Sequence, residues 1–98
     1  MCVTFAQAGY GIVHLRERTG LFDVLCNGVP AELKKTRSAS NLDHYVSHAL
    51  NNQQAQIVLI EFEKETREIH NKLHKYKKAG KHIIYYFTGR EDRIYSTI

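Results

Sequence analysis

The chain has 98 residues, of which 43% are hydrophobic and 24% charged, which is enough for one domain and too few for two. No apolar run approaches the roughly 20 residues of a membrane-spanning helix, and the start, MCVTFAQAGYG, lacks the basic residues and long apolar core of a secretory signal. The formal net charge of +4 permits an acidic partner such as nucleic acid without proving one. We therefore expect a single domain over residues 1–98.

The first half of the chain predicts a helix, a strand and a β-hairpin. Gly9 suits the left-handed position that commonly follows a helix. The dipeptide Asn27-Gly28 stands between two apolar runs, and this is the strongest short hairpin signal because both residues tolerate positive φ. The predicted elements are a helix over residues 1–8, a strand Tyr10–Leu15, and the two hairpin strands Leu21–Cys26 and Val29–Lys34.

The second half predicts two amphipathic helices, each followed by an apolar strand. A basic, hydroxyl-rich loop over residues 35–40 precedes the first of these helices, and Ser40 is a suitable N-cap for it. The run Ile57–Ile60 is continuously apolar, as in a central strand covered on both faces, and Glu61 follows at its far end. The predicted elements are a helix Asn41–Gln54, a strand Gln56–Phe62, a helix Thr66–Lys78, a strand Lys81–Thr88 and a short terminal strand Arg93–Ile98.

This order of elements predicts an α/β (α+β) fold with a mixed central β-sheet. A three-strand meander comes first, and a helix–strand–helix–strand unit follows it. The helices are expected to pack on the sheet, because their apolar stripes need a surface to cover.

Three ionisable side chains of the hairpin form a candidate catalytic site. Glu32 and Lys34 are two apart on one strand, so they project from the same face. Asp23 lies across the turn from them, within plausible reach. Two carboxylates and an ammonium on one patch can hold a divalent metal, orient a water and stabilise charge that develops on a phosphate.

Asp23 and the tripeptide Glu32-Leu33-Lys34 together resemble the D-(x)n-E-x-K core of the PD-(D/E)XK, or restriction-endonuclease-like, nuclease superfamily. The surrounding sequence DVLCNGVPAELK is similar to the version in C-terminal nuclease domains of bacterial polymorphic toxins, including contact-dependent inhibition toxins. The resemblance covers residues 1 to about 87, and it implies a restriction-endonuclease-like fold. It also implies a metal-dependent endonuclease that hydrolyses phosphodiester bonds in RNA, with tRNA favoured, or in DNA.

The resemblance further implies roles for individual residues. Asp23 and Glu32 would hold Mg²⁺, or Mn²⁺ or Zn²⁺ in its place, and Lys34 would orient the attacking water and stabilise the transition state. In such domains a glutamine near the end of the second helix often faces the catalytic patch, and Gln53 or Gln54 matches that position. The family's first helix carries a further glutamate, whereas the long polar side chain in the matching segment here is Gln7.

Basic residues are expected to contact the phosphate backbone of the substrate. Residues 64–81 are rich in lysine, a pattern that fits either a solvated helix face or a surface that follows phosphates. A toxin domain would be delivered as part of a larger protein, act in the cytoplasm and be bound by a cognate immunity protein. The residues expected to contact phosphates are Lys35, Arg37, Lys72 and Lys75.

Two other classes of function stay open at the level of sequence. One is a metal-independent toxin ribonuclease of the barnase or colicin type, which would use a His or Lys together with a Tyr or Thr as acid and base. The other is a nuclease-like module that binds nucleic acid or a protein without cutting. The chain has six histidines and six tyrosines, but no spacing selects a pair among them.

Overall fold

The computed structural model describes residues 2–14, 24–52 and 55–98. Within these ranges six strands form one mixed sheet, and strands that are neighbours in the sheet are also neighbours in the chain. The predicted α/β class with helices on a mixed sheet is confirmed. The strands are β1 Ile12–His14, β2 Val24–Cys26, β3 Val29–Thr36, β4 Ile57–Phe62, β5 Ile83–Phe87 and β6 Tyr95–Ser96; the helices are α1 Cys2–Gln7, α2 Ala39–Ser47, which a π-helix His48–Asn52 continues, and α3 Arg67–Lys78.

The predicted hairpin forms the centre of an antiparallel meander of β1, β2 and β3. Asn27 and Gly28 both adopt positive φ, 50° and 85°, as a two-residue hairpin turn requires. The turn is tied to the start of β1, because the Gly11 N–H donates to Asn27 Oδ1 at 2.6 Å and the Asn27 N–H donates to the Gly11 carbonyl at 2.8 Å. The hairpin prediction is therefore confirmed over its described residues.

The remaining strands extend the sheet from β3. β3, β4 and β5 are parallel, since a helix returns the chain between each pair, and β6 closes the sheet antiparallel to β5. Apolar residues of α2 and α3 pack into one core with Val58, Ile60 and Phe62 of β4. We call the side of the sheet that they cover the helix face.

The opposite side of the sheet is covered by α1, and we call it the α1 face. Phe5 of α1 is fully buried there, and its ring lies edge-on to Tyr86 with the ring centroids 5.4 Å apart. Leu59 and Ala31 belong to the same core. β4 and β5 therefore supply alternate side chains to two separate cores.

Several element boundaries differ from the sequence-based expectation. β3 runs on to Thr36, because the strand stays paired with β4 as far as Phe62, so the predicted loop is shorter. α2 begins at Ala39 after the extended residue Ser38, and the prediction of Ser40 as N-cap is wrong. β6 is two residues long.

Glycines in the left-handed conformation follow both α1 and α3, and the prediction made for Gly9 is confirmed. Gly9 and Gly80 have φ of 98° and 74°, and the amide of the residue after each donates to the carbonyl five positions back, in Phe5 and Tyr76. No helix in the described ranges has the length and apolar character needed to cross a membrane.

Candidate active site

The alternation of side chains along β3 divides its charged residues between the two faces of the sheet. Glu32 and Lys34 pair in register with Val58 and Ile60, so both point to the helix face. Lys35 pairs with Glu61 and points to the α1 face. The predicted neighbourhood of Glu32 and Lys34 is thus present in the structure.

Glu32 lies deep in the middle of the sheet. It is only 2% exposed, and its Oε2 is 3.6 Å from Lys34 Nζ. The Lys34 ammonium also sits 5.6 Å from the centroid of the Tyr45 ring, which α2 lays across this part of the sheet. A carboxylate and a lysine are therefore held together beside Tyr45 of α2.

The oxygen atoms of Glu32 are hard donors of the kind that Mg²⁺ and Mn²⁺ prefer. Among the described residues no group of three or more His, Cys, Asp or Glu side chains is placed to hold a metal ion. A metal ion bound by Glu32 would therefore need further ligands, namely water and the predicted ligand Asp23. Such a ligand set suits Mg²⁺, because Mg²⁺ in proteins usually keeps several bound waters. α1 packs on the other face, so Gln7 is not beside Glu32.

Asp23, Gln53 and Gln54 lie outside the described residues. Asp23 immediately precedes β2, and the two glutamines follow the π-helix. Their predicted roles in metal and substrate binding stay predictions.

A second polar cluster lies on the α1 face, around the buried carboxylate of Glu61. The hydroxyl of Tyr86 donates to one carboxylate oxygen and the hydroxyl of Thr88 to the other, both at 2.5 Å. Lys35 Nζ is 3.4 Å from the same carboxylate and 3.7 Å from that of Glu63. Both oxygens of Glu61 are thus held by protein donors.

This network sets the protonation of Glu61. Burial raises the pKa of its carboxyl, but the hydrogen bonds from Thr88 and Tyr86 and the charge of Lys35 outweigh burial, and the net pKa is lowered. The partner Tyr86 is nearly fully buried, and burial together with the adjacent Glu61 raises the pKa of its phenol to about 12. The cluster therefore carries an ionised carboxylate and a neutral tyrosine at neutral pH.

The predicted phosphate-binding residues Lys35 and Arg37 both engage carboxylates. Lys35 joins Glu61 and Glu63, and Arg37 pairs with Glu63. Lys35 is nevertheless half-exposed and Arg37 mostly exposed, so each keeps surface that a phosphate can reach. Their substrate contacts stay predictions.

The other two predicted phosphate ligands lie on α3. Lys72 Nζ is 2.5 Å from the Asp43 carboxylate of α2, which also accepts a hydrogen bond from the Tyr76 hydroxyl. These contacts lower the pKa of Asp43, with the Lys72 hydrogen bond as the largest cause. Lys72 thus joins two helices, whereas Lys75 is exposed on the surface of α3.

The Glu61 cluster was not expected as a unit from the sequence. In the sequence Glu61 is only an acidic residue at the end of an apolar run, and its donor Tyr86 lies 25 positions away. A charged residue directly before the buried Phe62 was the available signal, because a buried charge needs partners. The identity of those partners depends on the register between β4 and β5, which the sequence does not state.

No protein family model matches the sequence, and no curated protein matches it. A solved structure is similar to it: a CdiA-CT/CdiI toxin and immunity complex from Burkholderia pseudomallei. The TM-score is 0.68 at 20% sequence identity, and the match covers 96% of this chain and 76% of the other chain. This likeness shows that the two chains share a fold.

Proposed function

We propose that this chain is a toxin domain of the contact-dependent inhibition type that acts as a metal-dependent endonuclease. The observation that carries the proposal is the Glu32–Lys34 pair, two residues apart on β3 and 3.6 Å from each other at the centre of the sheet. The shared fold with a chain of a CdiA-CT/CdiI complex supports the toxin part of the proposal. The D-(x)n-E-x-K pattern supports the nuclease part.

The burial of Glu32 argues for function. Removing a carboxylate from water is costly, and a fold that needs only stability gains little from such a pair compared with apolar residues. Buried ionisable pairs are frequent at sites that bind metals or perform proton chemistry. On this argument Glu32 is retained for its oxygen donors.

Lys34 and Glu32 have separate tasks in the proposed reaction. Glu32, with Asp23, would hold a Mg²⁺ or Mn²⁺ ion, which supplies a more acidic bound water and a polarised phosphate. The Lys34 ammonium would orient the attacking water and stabilise the negative charge that develops on the phosphate. Tyr45 packs beside the ammonium and limits its range of positions.

The proposed substrate is RNA, with tRNA favoured over DNA through the toxin resemblance. Lys35, Arg37, Lys72 and Lys75 would contact phosphates, and Gln53 or Gln54 would contribute at the end of the second helix. The domain would be delivered as part of a larger secreted protein, act in the cytoplasm of a target cell and be neutralised by a cognate immunity protein.

A metal-independent ribonuclease is the second candidate, and the Glu61 cluster is the observation that favours it. Lys35, Tyr86 and Thr88 surround one carboxylate, which is the kind of Lys, Tyr and Thr grouping that acid–base cleavage can use. The raised pKa of Tyr86 and its burial argue against this phenol as a proton donor at neutral pH.

Cleavage of total tRNA and of plasmid DNA by the purified domain tests the proposal. We expect cutting with Mg²⁺ or Mn²⁺, none with EDTA, and a loss of about 10²- to 10³-fold in rate for Lys34→Ala. Glu32→Gln, which keeps the size of the side chain but removes its charge, should lose metal-dependent cutting as well.

Glu68→Gln is the matched control, because it makes the same chemical change on the exposed surface of α3. Cutting that survives EDTA and both site substitutions would overturn the metal site and favour the second candidate. Binding without cutting under any metal would identify a non-catalytic module.

A further inference from the structure

A groove lies between α3 and the last two strands, away from both charged clusters of β3. It has a volume of about 220 Å³, smaller than the cavities that hold drug-sized ligands, so it has room for a single small ring system. Its walls come from α3, from β5 and from the end of the chain. The lining residues are His70, Leu73, His74, Lys77, Tyr85, Ser96 and Thr97.

Tyr85 lines this groove, and the aromatic pair that it forms with Tyr95, the residue before the lining residue Ser96, borders it. Tyr95 stacks on Tyr85 with the ring centroids 5.3 Å apart and the planes 19° apart. Phe62 and Phe87 pack edge-on against Tyr85 from the buried side, and this fixes its position. Tyr95 stands at the edge of the sheet and remains 38% exposed, so the pair can be reached from solvent.

Another wall, from α3, carries the ammonium of Lys77 beside two histidines. His74 and Lys77 line it from exposed positions on α3, one turn apart, and His70 lies a turn further back, where it pairs with Glu65. None of the residues that line the groove is a carboxylate. Aromatic rings beside basic side chains are the arrangement with which proteins bind single-stranded nucleic acid, the bases stacking on the rings and the basic groups contacting the phosphates.

We propose that this groove binds one unpaired nucleotide of a single-stranded RNA segment, with its base stacked on the Tyr85–Tyr95 pair and its phosphate near Lys77 and His74. The inference rests on the proposed function, since it assigns a further contact to the same class of substrate.

The groove is distinct from the candidate catalytic site. Lys34, Ile60, Tyr85 and Tyr95 form one row across the sheet, so the two sites share a face but are separated by three strand spacings, roughly 14 Å. Because α2 and α3 cover the intervening sheet, only an extended or folded RNA can reach both. The groove is thus a selectivity subsite for an unpaired residue.

The test uses a short, labelled single-stranded RNA in EDTA, so that binding is measured in the absence of metal-dependent cutting. Tyr95→Ala should weaken binding by about 5- to 150-fold, the range for the loss of one stacked base, and Tyr95→Phe should bind like the unchanged protein. The chain contains no tryptophan, so Tyr95→Trp adds a single reporter whose fluorescence should be quenched by the stacked base.

Lys77→Gln should also lower the steepness of the salt dependence of binding, by about 0.7 in log–log slope for one phosphate contact. Lys64→Gln is the control, because it removes the same charge from a residue that does not line the groove. In the double variant Lys64→Gln with Tyr95→Trp, the RNA should still quench the tryptophan fluorescence.

Equal affinities for Tyr95→Ala and Tyr95→Phe, or no quenching of Tyr95→Trp, would overturn the inference. Failure of the nuclease proposal has a different signature: RNA binds and quenches, but no metal produces cutting.

Discussion

The two faces of the sheet carry nearly the same charged groups in different surroundings. On the helix face Glu32 lies 3.6 Å from Lys34, a separation longer than a hydrogen bond. On the α1 face Glu61 lies 3.4 Å from Lys35 and accepts short hydrogen bonds from two hydroxyl groups. Each face thus holds a buried carboxylate and a lysine, and the two lysines are adjacent in sequence.

This difference in surroundings supports the proposal that Glu32 takes part in the reaction, whereas Glu61 stabilises the fold. Glu61 is fixed by donors from β5 and from Thr88 just beyond it, so it ties strands together through side chains as well as through the backbone. Glu32 and Lys34 face α2, which adds an aromatic ring beside the ammonium. We therefore assign the helix face to the proposed reaction and the α1 face to stability.

The largest expected effect is on cleavage, and it should be confined to the helix face. Glu32→Gln should lower the cleavage rate by 10²-fold or more, on the order of the loss for a group that stabilises transition-state charge. Glu61→Gln should keep the rate per folded molecule within a few-fold, because Glu61 lies on the other side of the sheet. Initial rates on tRNA, corrected for the folded fraction by circular dichroism, measure both.

Glu68→Gln serves again as the surface control. If Glu61→Gln removes cleavage while Glu32→Gln leaves it intact, the assignment of the two faces is reversed and the metal-independent candidate becomes the better one.

The placement of Glu32 and Lys34 on one face of the sheet can be predicted from the sequence, whereas the end of β3 and the partners of Glu61 cannot, because they depend on long-range strand pairing. The period of two along a strand places Glu32 with Lys34 as soon as the strand is recognised, and Asn27-Gly28 marks where that strand begins. The end of β3 is set by its pairing with β4, which continues to Phe62. This pairing is between segments far apart in the sequence, and the hydroxyl-rich residues after Lys35 predict a loop instead. Likewise, Glu61 meets Tyr86 only through the parallel register of β4 and β5.

The second expected effect is on stability, and it should be confined to the α1 face. Glu61→Ala removes the acceptor of two buried or half-buried hydroxyl donors, at a cost of about 1–3 kcal/mol for each donor left unsatisfied. We expect the free energy of unfolding to fall by about 3 kcal/mol in urea denaturation. The double substitution Glu61→Ala with Tyr86→Phe should lose less than the sum, because the two groups share one interaction. Strict additivity would contradict the role assigned to the network.

The third expected effect is the pH dependence of the stability that Glu61 contributes to the fold. The fold lowers the pKa of Glu61 below the ordinary value of a glutamate carboxyl, so the ionised form stabilises the fold at a pH above that ordinary value. The contribution is lost as the pH falls through the lowered pKa of the folded state. The difference in unfolding free energy between the unchanged protein and Glu61→Gln should therefore be constant near neutrality and shrink below about pH 5. A difference that grows on acidification would mean that the folded-state pKa is raised.

The smallest expected effects separate the two lysines of α3. Lys72 bridges to Asp43, a partly exposed pair worth at most about 1 kcal/mol, so Lys72→Gln should lower the midpoint of thermal unfolding slightly. Lys75 is exposed, so Lys75→Gln should leave the midpoint unchanged and instead reduce the salt dependence of RNA binding by about 0.7 in log–log slope. Thermal unfolding and the salt dependence of RNA binding, measured on these two matched variants, thus test both predicted phosphate contacts. If Lys72→Gln lowers the salt slope as much as Lys75→Gln does, the ammonium of Lys72 leaves Asp43 for a phosphate, and the helix face then binds the substrate through α3 as well as through β3.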